Sequence, residues 1–92
     1  MIEFEWSPDK AALYLEKHRV SFQEAATVFN DPLSITFPDP DHSIGESRYI
    51  IIGVSQLGRL LVIAHTDRGE KVRIISARQV TRQETRFYEE GI

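Results

Sequence analysis

"RYIIIGVSQLGRLLVIAHTDRGEKVRIISA", Arg48 to Ala77, decides the fold. Three runs rich in β-branched and aliphatic residues, "RYIIIGVS", "RLLVIAHT" and "KVRIISA", read as strands. "QLG" (Gln56–Gly58) and "DRGE" (Asp67–Glu70) between them are too short for a crossover and contain Gly for a tight turn. Strands joined this way must be antiparallel.

Upstream, "LSITF" (Leu33–Phe37) reads as a further strand, followed by the loop "PDPDHSIGES", dense in Pro, Asp, Ser and Gly. "IEFEW" (Ile2–Trp6) alternates apolar and acidic residues, as a short half-buried strand does. Ser7, Pro8 and Asp9 open a helix that should stop near His18 and Arg19. Ser21 and Glu24 have capping-box spacing, and Phe22, Ala25, Ala26 and Phe29 make one apolar stripe up to "NDP" (Asn30–Pro32). Downstream, Thr81 and Glu84 form a second capping box and predict a helix from about Arg82 to Glu90. The order is therefore β-α-α-β-β-β-β-α. The expectation is an α+β fold, an antiparallel sheet of four to five strands with helices packed on one face, in a single domain over residues 1–92.

Composition narrows the chemistry. The chain has no Cys, which removes disulfides and thiolate catalysis. No apolar run approaches the roughly 20 residues of a membrane span. "MIEFEW" is acidic where a signal peptide is basic, so a cytoplasmic location is expected. Net charge is −3, but unevenly spread. Residues 1–47 hold three basic and nine acidic residues, and residues 48–92 hold eight and five. The two halves can neutralise one another by packing, or the second can keep a local basic face.

Arg73, Arg78, Arg82 and Arg86 give that second option its content. Arg73 lies on the last strand, Arg78 at its end, and Arg82 and Arg86 at i and i+4 on the last helix. Alternation along the strand places Val72, Ile74 and Ser76 on one face and Lys71, Arg73, Ile75 and Ala77 on the other. Guanidinium is planar, permanently charged and able to bind two phosphate oxygens at once. Cleavage of RNA by internal attack of the ribose 2′-hydroxyl needs fixed cations for the phosphoryl charge, and a base and an acid for the protons. The same arginines can instead pair with Glu84, Glu89, Glu90 or an acidic partner. His18 sits at a helix end, His42 in the acidic loop, and His65 in a strand, where a hydrogen-bonded role is usual. No histidines show metal-ligand spacing, so no metal or cofactor is expected. Glu46 and Arg48 have strand spacing, suited to an ion pair or to a carboxylate that orients a neighbour.

"FEWSPDKA", "KHRVSFQEAATVFNDP", "DPDHSIGESRYIIIG" and "RIISARQVTRQETRFYEE" together resemble the BrnT family of toxins over almost the whole chain. The resemblance implies a RelE-like fold and a ribonuclease of a type II toxin–antitoxin system that arrests translation. It also implies a hetero-oligomer with a BrnA-type ribbon-helix-helix antitoxin, through which alone DNA is contacted. Carried over position by position, Lys17 and His18 match the family's Lys-His pair, and Glu46 and Arg48 its Glu-x-Arg. Arg73, Ser76 and Arg78 match "RIISAR", and Glu84 and Tyr88 match the Glu and Tyr of the last helix. On this basis Lys17, His18, Glu46, Arg48, Arg73 and Arg78 are the candidate catalytic residues, and Arg82 and Arg86 the candidate RNA-binding ones. Two positions depart from the family: Tyr14 stands where Asn is common, and Arg19 where Gly is common. They motivate an alternative, a catalytically inactive module that docks a ribbon-helix-helix partner.

Overall fold

The computed structural model describes residues 2–91. Strands β1 (Glu3–Glu5), β2 (Ile35–Pro38), β3 (Arg48–Val54), β4 (Leu60–Arg68) and β5 (Lys71–Gln79) form one sheet in the order β1-β5-β4-β3-β2. Helices α1 (Pro8–His18), α2 (Phe22–Thr27) and α3 (Arg82–Glu90) occupy the expected places, with 3₁₀ turns at Val28–Asn30 and Pro40–His42. The sequential strands pair antiparallel. β1 runs parallel to β5, so the sheet is mixed. Short loops dictate only the hairpins, and nothing local in "IEFEW" selects its distant partner.

All three side-chain caps form, but the capping box suggested by Ser21 and Glu24 forms only by half, because the Glu24 carboxylate accepts from Arg59 and Ser55 instead. Ser7, Ser21 and Thr81 each accept from the backbone N–H three residues on, and Thr81 with Glu84 completes a reciprocal capping box. Helix α1 ends on Arg19 in the left-handed region, at φ 59°.

Packing of α1 and α2 against the sheet builds the core. Val20, Phe22, Ala25 and Val28 meet Ile51, Leu61, Ile63, Ile74 and Ala77, with Phe4 and Trp6 packed against them. Gly53 allows the Val28–Asn30 turn to lie on β3, because a Cβ there would stand 3.0 Å from Val28, Asp31 and Ser34 atoms. No helix is long and apolar enough to cross a membrane.

A bulge reorganises β5. His65 pairs with Ile74 while Ala64 pairs with Ser76, so Ile75 is the extra residue. Beyond it the alternation flips. Ala77 turns into the core, and Ser76 and Arg78 join Arg73 on the opposite face. The expected assignment of Ser76 and Ala77 is thus exchanged. A single inserted residue in a ladder leaves no mark in a run of apolar and polar residues.

Helix α3 also departs from the expected arrangement, since it packs on this second face. Phe87 meets Phe37 edge-on at 5.8 Å and lines a groove with Ile52. Phe37 pairs with Ile50, and both alternate away from the core residue Ile51. A helix following an exposed strand end can fold back over either face, and the apolar Ile52 and Phe37 decide which.

Candidate active site

The part of the second face that α3 leaves open forms a cleft of about 300 Å³. Its floor is Ile50, Ala64, Ile75 and Ser76 on the three central strands. Arg48 closes one end, with Asp39 and His42 of the Pro40–His42 turn region beside it. Tyr14 forms the other wall. β1 pairs only with Lys71–Arg73, so the rest of β5 has no strand on its outer side, and Tyr14 reaches around that edge. Its ring stacks on Phe22 of the core at 5.9 Å and on His18 at 5.8 Å.

Arg48 is the cation this cleft offers. Among the described residues it makes no ion pair, and its buried Nε has no hydrogen-bond partner. An unsatisfied guanidinium N–H beside a solvent-reachable cleft is costly unless an anion meets it. Glu46 is exposed in the loop before β3 and does not pair with Arg48. Arg48, Thr66 and Arg73 form one cross-strand row.

Arg73 and Arg78 share the face but are not a free phosphate grip, and the expectation built on them is corrected. Arg73 Nη1 donates to Glu5 Oε2 at 2.9 Å. Arg78 donates from both terminal nitrogens to the Glu84 carboxylate, at 2.8 Å each. Five residues along one strand also separate their backbones by roughly 16 Å. Each meets a carboxylate brought in by a neighbouring element, which satisfies it more cheaply than an empty site does. Arg86 lies 3.6 Å from Glu90 one turn on, and Arg82 is exposed on α3; neither lines the cleft. Four free guanidinium groups therefore do not converge.

Lys17 is exposed on α1 and His18 lies half-buried against Tyr14, but neither lines the cleft. His65 lies on the core face between Phe29 and Tyr49 rings, with neither ring nitrogen hydrogen-bonded among the described residues. Burial pushes its pKa down against the opposing pull of Asp67, which keeps it neutral. The usual hydrogen-bonded strand histidine is not what forms. Among the described residues no three His, Asp or Glu side chains gather as a metal cage.

Sequence reasoning passed over Tyr14, Asp39, His42 and Ser76 as lining residues. Ser76 was hidden by the bulge and Tyr14 by the route of α1 past the sheet edge. Asp39 and His42 left one signal: an i, i+3 pair in the turn-forming "DPDH".

These features define a class: a small α+β fold with one sheet face covered by two helices and the other left partly open. The 1.1 Å crystal structure of the Brucella abortus ribonuclease toxin BrnT has the same fold, with a TM-score of 0.69 and 16% identity. The match covers 89% of this chain and 100% of that one. No curated protein sequence matches the chain. Residues 6–84 match the family model described as ribonuclease toxin, BrnT, of type II toxin–antitoxin system, and the chain belongs to that family.

Proposed function

We propose that this protein cleaves RNA in the Arg48 cleft, without metal, by attack of a ribose 2′-hydroxyl on the adjacent phosphorus. Arrest of translation follows from loss of RNA in the cytoplasm, and a BrnA-type ribbon-helix-helix antitoxin neutralises the activity and alone contacts DNA. The observation that carries the reading is the half-buried Arg48 guanidinium, whose Nε is unsatisfied at the end of an open cleft in a chain of this family. A phosphate oxygen there completes Arg48's hydrogen bonding and gains a fixed cation as charge develops.

His18 and Lys17, one turn from the Tyr14 wall, are candidates to move a proton. Glu46 lies two residues before Arg48, exposed and unpaired with it, and remains a candidate to orient a substrate group beside that guanidinium. Arg73 stands in the same cross-strand row as Arg48, and contributes to substrate binding only where a phosphate displaces Glu5 from it. Arg78 acts as an anchor for α3, and Arg82 and Arg86 extend a basic surface for RNA beyond the cleft.

The test is purified protein incubated with mixed-sequence RNA in excess chelator. Cleavage that persists there and drops about 100-fold or more in Arg48→Ala supports the reading, in line with the loss of a transition-state donor. Intact RNA, or equal cleavage by Arg48→Ala, defeats it. A second reading, a binding module without activity, is favoured by the apolar groove of Phe37, Ile52 and Phe87 beside α3. Expression without antitoxin separates the two, since the module leaves growth and RNA intact.

A further inference from the structure

We propose that His42, held by Asp39, is the catalytic base that takes the proton from the attacking 2′-hydroxyl; the inference rests on the ribonuclease reading above. His42 Nδ1 lies 3.0 Å from Asp39 Oδ2. A carboxylate only accepts, so Nδ1 carries the hydrogen and Nε2 keeps its lone pair. Nothing else among the described residues hydrogen-bonds the ring, and the side chain is 68% exposed, open to a substrate.

The turn that carries this pair is fixed to Arg48 itself. Asp39 N–H donates to the Arg48 carbonyl at 2.9 Å. Arg48 N–H donates to Ser43 Oγ at 3.0 Å, and Ser43 Oγ–H donates to the Asp39 carbonyl at 2.6 Å. Three hydrogen bonds thus hold the imidazole and the guanidinium in one frame, both lining the same cleft. The charged groups around His42 are Asp39 and Asp41 on its own segment and Arg48 at the same end of the cleft.

The step balances within this geometry. The 2′-hydroxyl proton passes to Nε2, and the oxygen's electron pair forms the new bond to phosphorus. The P–O5′ bond breaks, its electron pair stays on O5′, and O5′ takes a proton from a water molecule in the open cleft. The hydroxide left behind takes the proton back from His42. The products are a 2′,3′-cyclic phosphate and a free 5′-hydroxyl, and Arg48 binds the phosphoryl oxygens throughout. Asp39 is a positioning residue: it fixes the tautomer and stabilises the imidazolium.

The experiment compares the whole wild-type chain with His42→Ala and Asp39→Asn on one labelled RNA, scoring rate, product ends and thermal unfolding. His42→Ala should unfold at the wild-type temperature, cleave about 100-fold or more slowly, as loss of a general base does, and recover part of the rate in added imidazole. Asp39→Asn should lower kcat with KM unchanged. A His42→Ala rate within about threefold of wild type, or a loss that imidazole leaves untouched, overturns the inference alone. Wild-type protein that leaves the RNA intact overturns the ribonuclease reading and this inference with it.

Discussion

Arg78 and Glu84 meet through two parallel hydrogen bonds, Nη1 to Oε1 and Nη2 to Oε2, each 2.8 Å. Glu84 Oε1 also accepts the Thr81 N–H at 2.9 Å, so one carboxylate both caps α3 and ties it to β5. The Arg78 hydrogen bonds, against the opposing effect of burial, hold Glu84 at about 2, below its ordinary 4.5. The folded pKa is depressed. The pair's stabilisation is therefore complete above the unfolded value and lost as pH falls from 4.5 toward 2. Urea midpoints measured at pH 7 and pH 2.5 should fall more for wild type than for Glu84→Gln. Equal acid losses in the two proteins refute this assignment.

Tyr88 makes the second fastening of α3. Its hydroxyl donates to Asp31 Oδ2 at 2.6 Å, and Asp31 also accepts Val54 N–H at 2.8 Å and Leu33 N–H at 2.9 Å. Burial raises the Asp31 pKa, but these bonds together outweigh it and hold the carboxyl below its ordinary value. The same bond pushes the Tyr88 phenol up to about 12, so it remains a donor at any working pH. Tyr88→Phe removes one hydrogen bond to a charged acceptor, a cost of about 2 kcal/mol. Denaturant unfolding should show that loss, with faster amide exchange in α3 than in β4. A stability change near zero contradicts the fastening.

The legible part of the sequence was the part written in local chemistry. Ser7, Ser21 and Thr81 cap helices because a short side-chain oxygen satisfies free amides wherever it occurs. The β3–β4–β5 meander followed from turn length alone. The mixed sheet, the bulge at Ile75 and the face chosen by α3 depend on partners far along the chain, and no window of residues contains them. The site suffered most. The Glu84 partner of Arg78 was among the pairings the sequence offered, but the Glu5 partner of Arg73 lies 68 residues away, where no local pattern points to it. Arg48, by contrast, had the spacing for an ion pair with Glu46, yet its Nε is left unsatisfied among the described residues.

Arg59 and Glu24 predict a large stability effect far from the cleft. Glu24 is only 5% exposed. It accepts from Arg59 through both carboxylate oxygens and from Ser55 Oγ–H at 2.7 Å. The Arg59 hydrogen bonds dominate over burial and lower its pKa. The network locks α2 to the β3–β4 hairpin. Arg59→Ala strands a buried carboxylate, which costs about 3 kcal/mol or more. Calorimetry should show a drop of several degrees, and the Arg59→Ala, Glu24→Gln double variant should recover part of it. A single variant that melts with the wild type removes the buried pair from the account of stability.

Arg19 supplies a test of strain at the family departure nearest the proton-moving candidates. It caps α1 with φ 59° and ψ 31°, a conformation that crowds any side chain with a Cβ. Its N–H donates to Leu15 O at 3.0 Å and its carbonyl accepts from Arg59 Nη2 at 2.8 Å, so the backbone is fixed from both sides. Arg19→Gly keeps both bonds and relieves roughly 1–2 kcal/mol of strain. The more flexible unfolded chain offsets roughly 0.4–1 kcal/mol of that. The net expectation is a gain between about 0 and 1.6 kcal/mol, read as a higher denaturant midpoint with an unchanged slope. A lower midpoint means that the Arg19 side chain contributes more than its backbone costs, and that the chain has adapted to the loss of glycine by new contacts instead of tolerating it.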